Sequence, residues 1–139
     1  MASEHIYKQF DSDLEAIRAK VLEMGTLVEE QTANAVKSLL NTDIKLAEQV
    51  MKRDVQINDL EVAIDEETSL LIAKRSPAAG DLRNIMMMLK IITDLERMGD
   101  EAAKIARSTT RIFEDNRMSK PRFTEIKGMA KAVQGMIKT

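Results

Sequence analysis

The sequence predicts an all-α protein: an antiparallel three-helix bundle followed by a truncated fourth helix. Apolar residues recur at alternating three- and four-residue spacing over several successive stretches, which places one apolar stripe along each of several long helices. Only two prolines and five glycines interrupt 139 residues, so the chain carries few turn signals. Ten methionines stand against 3% aromatics and no tryptophan, a composition suited to filling irregular gaps between helices.

The first stripe reads Phe10, Leu14, Ile17, Val21, Met24, Val28, Ala35 and Leu39, with Gln31 occupying one position that should be apolar. It stops at Asn41-Thr42-Asp43, residues that favour turns and helix N-caps. A second helix is expected from about Thr42 to Arg75. The run Ser76-Pro77-Ala78-Ala79-Gly80 forms a short turn, because Pro77 disfavours continued helix. A third helix is expected from about Ala79–Asp81 to Phe113. Beyond Pro121 a fourth stripe, Phe123, Ile126, Met129, Val133 and Met136, is still in helical phase at the last residues. Its apolar face either folds back on its own bundle or packs on a second copy of a longer protein; the second option makes a homodimer through this stub the expectation. Within the third helix, Met86-Met87-Met88 cannot all face one core, so at least one should meet another surface.

Charge and composition exclude several classes. The net charge is −2, with 21 basic and 23 acidic residues spread along the chain, which gives no clustered basic face for nucleic acid. No run of about 18 apolar residues exists, so no direct membrane insertion is expected. With no cysteine, disulfides, thiolate metal sites and cysteine nucleophiles are ruled out, and a cytoplasmic location is the default.

The second stripe carries an anomaly. It reads Ala47, Val50, Asp54, Ile57, Glu61, Ile64, Thr68 and Leu71, so two acids fall on the seam. Glu61 is followed one turn later by Asp65, on nearly the same face. The third helix repeats the pattern with Glu96 and Asp100. In an antiparallel hairpin centred near Ala78, residues at equal height have numbers summing to about 156. Glu61 and Glu96 sum to 157. Glu61, Asp65, Glu96 and Asp100 are therefore expected to converge as candidate metal ligands. Four close carboxylates repel one another unless basic partners, raised pKa values or bound cations relieve them. Carboxylates alone suit hard or intermediate ions. The competing expectation is a solvated face, its acids paired with Arg97 or Lys104. Gly99, between Glu96 and Asp100, costs a helix interior about 1 kcal/mol relative to Ala. Its expected benefit is room for another backbone or a metal cluster. A ferritin-like di-iron site would also need Glu-x-x-His pairs, and the single histidine, His5, lies far from both motifs.

Three runs resemble the PhoU family of bacterial phosphate-signalling regulators: Glu61-Val62-Ala63-Ile64-Asp65-Glu66, Lys74 through Arg83, and Asp94-Leu95-Glu96-Arg97-Met98-Gly99-Asp100. The stretch from Phe10 to Gly25 is similar too. The resemblance implies tandem three-helix bundles, each with a pair of Glu(Asp)-x-x-x-Asp motifs holding divalent or trivalent metal ions; iron, manganese, magnesium and zinc are the candidates. On this basis residues 1–118 form one PhoU-like repeat, and residues 119–139 a linker and the incomplete start of a second. The second motif pair is therefore missing. The implied function is negative regulation of the phosphate-starvation response. Its implied partners are the ATPase of the high-affinity phosphate ABC transporter and a sensor histidine kinase, at the inner membrane through those partners. Asp81 and Arg83 match a further recurrent run and are candidate interaction residues. The resemblance implies no enzyme. The alternatives are a structural helical interaction module with solvated acids and no metal site, and a carboxylate-bridged metalloenzyme. The latter lacks any His, Cys or Tyr near the motifs to act as a base.

Overall fold

A computed structural model describes residues 2–75, 77–115, 128 and 131–136, with side chains from Lys8 onward. Three long helices form the bundle: α1 (Ala2–Asn41), α2 (Ile44–Arg75) and α3 (Ala79–Asp115). Each packs on both of the others. The connections are short, so neighbours in sequence run antiparallel and α1 and α3 run parallel.

Local chemistry fixes both turns. At the end of α1 the Asp43 N–H donates to the Ser38 carbonyl at 2.8 Å, and the Thr42 N–H to that of Leu39 at 3.4 Å. These two bonds satisfy carbonyls that the last turn leaves open, in the Schellman pattern. Thr42 takes the left-handed position with φ 50°, where glycine is usual. Asp43 then caps α2: its Oδ1 accepts from the Leu46 N–H at 3.1 Å, and its carbonyl from Ala47 at 3.1 Å. At the other hairpin α2 ends with Lys74 and Arg75, which favour the negative end of the helix dipole. The Ala78 carbonyl accepts the Leu82 N–H at 2.9 Å and starts α3. The turns thus fall where Asn41-Thr42-Asp43 and Pro77 place them, while α1 begins well before the first residue of its stripe.

Burial follows the stripes, in two blocks. The larger contains Phe10, Leu14, Ile17, Met24, Ile57, Ile64, Ile85 and Ile92 among others. The smaller is built from small residues, Ala35, Ala47, Ala102 and Ala106, with Val36, Leu39, Val50 and Ile105. Between them runs a layer of different chemistry: buried Gln31 and Thr32 on α1, half-buried Asp54 on α2, and buried Gly99 on α3. Gln31 donates from Nε2 to the Val50 carbonyl at 2.6 Å, which ties α1 to α2 in this layer. The interrupted apolar stripes of α1 and α2 therefore meet at one height.

Of the three consecutive methionines, Met88 is buried, while Met86 and Met87 are exposed. Residues 131–136 are helical, and Val133 packs on the smaller core block of its own bundle. Phe123, Ile126 and Met129, and the boundary at 118/119, lie outside the described residues.

Candidate metal centre between helices two and three

The antiparallel α2/α3 hairpin brings Glu61 and Glu96 to one height, close enough for Glu96 to act on Glu61. Two carboxylates so placed each disfavour the other's ionised form. The Glu61 pKa is accordingly pushed up from 4.5 to about 7. Burial is the main cause; the neighbouring Glu96 carboxyl and the charges of Asp100 and Asp65 add to it. Glu61 and Glu96 are half-buried, whereas Asp65 and Asp100 reach solvent. The expected foursome is thus a half-buried pair flanked by two exposed acids, all close enough for the other three to act on Glu61.

Asp54 is a further member that the four-residue motif does not contain. Its pKa is also raised, first by burial, then by Asp100 and Glu96, while Arg107 pulls it the other way. Its Oδ1 is buried with no hydrogen-bond partner. The signal was present in the sequence, since Asp54 lies on the same stripe two turns before Glu61.

Gly99 shapes the floor of this groove. A Cβ there would meet the side chain of Ile57 at 3.2 and 3.4 Å and Asp54 Oδ1 at 3.8 Å. The room is therefore taken by side chains of α2, rather than by another backbone. The proposed basic partners are oriented elsewhere: Lys104 pairs with Glu101 at 3.2 Å, and Arg97 lines a cleft with Asp94, Met98, Val133 and Met136. Asp81 sits in the first turn of α3 and Arg83 is exposed just after it. At 1.5 Å per residue Asp81 is about 22 Å from Glu96 along α3. The structure does not bring this pair to the acids.

The donor set fits a hard cation in kind: all oxygen, excess negative charge, and one buried oxygen without a partner. Among the described residues, no three acidic or histidine side chains stand ready to enclose a single ion. Binding one would require side-chain rotation, which the lengths of Glu61 and Glu96 permit.

The model of the PhoU domain matches residues 21–109, a span that includes all five of these acids. The chain belongs to the PhoU family. A phosphate-specific transport system accessory protein PhoU homolog from a Burkholderia species is 50% identical over 112 residues, 81% of this chain and 48% of that protein. The PhoU homolog of Pseudomonas aeruginosa is 43% identical over 136 residues, 97% of this chain and 55% of that protein. The Escherichia coli PhoU is 45% identical over 111 residues, 80% and 46% of the two chains. Among solved structures, the crystal structure of PhoU from P. aeruginosa superposes with a TM-score of 0.83 at 43% identity, covering 93% of this chain and 61% of that one. The phosphate transport system regulatory protein PhoU of Streptococcus pneumoniae gives 0.75 at 29% identity, over 93% and 59%. The chain therefore spans about half the length of the PhoU relatives it matches. Among the described residues, no helix is long and apolar enough to cross a membrane.

Proposed function

We propose that this chain is a non-enzymatic regulatory module of a phosphate transport system, with a cation site on Glu61, Asp65, Glu96 and Asp100. Its proposed role is to link a phosphate transporter's ATPase to a sensor histidine kinase and hold phosphate-starvation signalling off. The observation that carries the site is the facing of Glu61 and Glu96 across α2 and α3, close enough for Glu96 to push up the Glu61 pKa, in a groove whose acids outnumber their cationic partners. The names of the relatives, accessory proteins of phosphate-specific transport, support the regulatory part.

The physical logic is a cross-link. Without a cation, a proton held on Glu61 relieves part of the repulsion among these acids. A bound iron, manganese, magnesium or zinc ion would supply positive charge to both helices and fix their separation. The carboxylates hold it; the apolar contact of Ile57 with Gly99 keeps the helices close beneath it. A rigid α2/α3 face is then available for protein partners.

Elemental analysis of the chain purified without chelators tests the site. Wild type is expected to retain metal, and Glu96→Ala with Asp100→Ala to lose it while keeping its helical circular dichroism. Unchanged metal content in that variant would sink the assignment. For the regulatory part, expression in a bacterium lacking its own PhoU protein should lower a phosphate-starvation reporter in high phosphate. A reporter that stays high with the folded chain present would count against it.

A further inference from the structure

We propose that Asp54 is an interior ligand of this same cation site, a third α2 carboxylate outside the Glu-x-x-x-Asp motif, positioned by buried Gln31. The proposal rests on the cation reading above and adds to it a donor on the inner side of the groove.

Four observations carry it. First, Asp54 precedes Glu61 by seven residues, two turns, so both project toward α3 from the same stripe. Second, its Oδ1 is buried with no hydrogen-bond partner, and native interiors rarely leave a charged oxygen so. Third, that oxygen lies 3.8 Å from where a Cβ on Gly99 would stand, so it faces the α3 backbone one residue from Asp100. Fourth, Gln31, only 1% exposed, donates to the Val50 carbonyl at 2.6 Å. Within α2 that carbonyl is the acceptor four residues before Asp54. Gln31 therefore fixes the backbone that carries Asp54, and its own Oε1 is a second buried oxygen without a partner in this layer. Burial and the charges of Asp100 and Glu96 all disfavour a bare Asp54 carboxylate, with Arg107 offsetting only part. A cation reached by Asp54 and Asp100 together would remove both penalties at once.

The test uses the whole chain, Mn²⁺ as the probe, isothermal titration for affinity, and thermal melts with and without the ion. In Asp54→Asn, Mn²⁺ affinity should fall about tenfold or more. The metal-free variant should melt higher than metal-free wild type, because an unpartnered buried charge is gone. The Mn²⁺-dependent rise in Tm should shrink. A purely structural Asp54 would instead lower Tm with and without the ion and leave affinity intact; that result overturns the proposal. Should Asp54→Asn fail to fold, Asp54→Ser is read by the same two measurements. Gln31→Met keeps the buried volume, and is expected to weaken Mn²⁺ binding less than Asp54→Asn; unchanged affinity would remove Gln31 from the proposal. If folded wild type takes up no Mn²⁺, the underlying site reading fails, a result distinct from wild-type affinity in Asp54→Asn.

Discussion

The two grooves that flank α2 are built on opposite electrostatic plans. On the α1 side, charges are matched: Lys20 pairs with Glu67, and Arg75 with Asp13 at 3.7 Å. On the α3 side, Asp54, Glu61, Asp65, Glu96 and Asp100 share a groove in which Arg107 is the cation that acts on Asp54, and the Glu61 pKa is pushed up to about 7. The same helix thus contributes one face that favours the fold as it stands, and one that is least stable when bare. A face that costs stability until charge arrives from outside is the better candidate for a binding site.

The contrast can be broken most forcefully by adding a cation. At about a hundredfold excess over Kd, Mn²⁺ should stabilise the protein by about 2.7 kcal/mol. The gain should vanish in Glu61→Gln with Glu96→Gln, and survive in Lys20→Met, which alters only the matched groove. Thermal melts of the three proteins read this directly, and a gain that persists in the double glutamine variant would place the ion elsewhere.

Acidity gives the next effect, in the metal-free protein. Glu61 titrates near 4.5 when unfolded and near 7 when folded, so the folded state binds more protons between those values. Stability from this group is full below about pH 4.5 and is lost as pH rises through about 7. Asp54 acts in the same direction. Denaturant midpoints measured across that window should fall with rising pH for wild type, and fall less for Glu61→Gln. A flat difference between the two would mean that Glu61 does not hold the extra proton.

Smaller changes sharpen the picture. Lys20→Met should cost under about 1 kcal/mol, since both partners are partly solvated. That cost should shrink further in high salt. Gly99→Ala pits a helix-propensity gain of about 1 kcal/mol against crowding of Ile57. Ile57 is 1% exposed, and its Cδ1, 3.2 Å from the added Cβ, must shift within a packed core. A slight net loss in Tm is expected, with weaker Mn²⁺ binding; a clear gain in Tm would mean the groove floor yields. Thr42→Gly relieves a β-branched residue at φ 50° and should stabilise by about 0.5 kcal/mol wherever the metal stands. That variant is the control, because its site is remote from both grooves.

The helices were legible because each stripe is long and periodic, and their ends because Asn41-Thr42-Asp43 and Pro77 carry specific turn chemistry. The facing of Glu61 and Glu96 was legible too, since equal rise on two helices around one short turn leaves their heights no freedom. Phase is harder to read than height. The sequence could not say that Asp65 and Asp100 would turn to solvent while Asp54 turned inward, because that depends on how far each helix rotates about its axis when packed. Nor could it separate the two readings of Gly99, where the neighbour is the side chain of Ile57, forty-two residues away.

By itself, then, the sequence determined three helices, two turns, and acids set at one level of a hairpin, all consequences of local periodicity and chain connectivity. Only the tertiary structure decided which acids are half-buried, that Gln31, Asp54 and Gly99 form one layer, and that a carboxylate oxygen lies there without a partner. Burial and pairing are properties of three helices meeting at fixed rotations, and a one-dimensional pattern does not hold those angles.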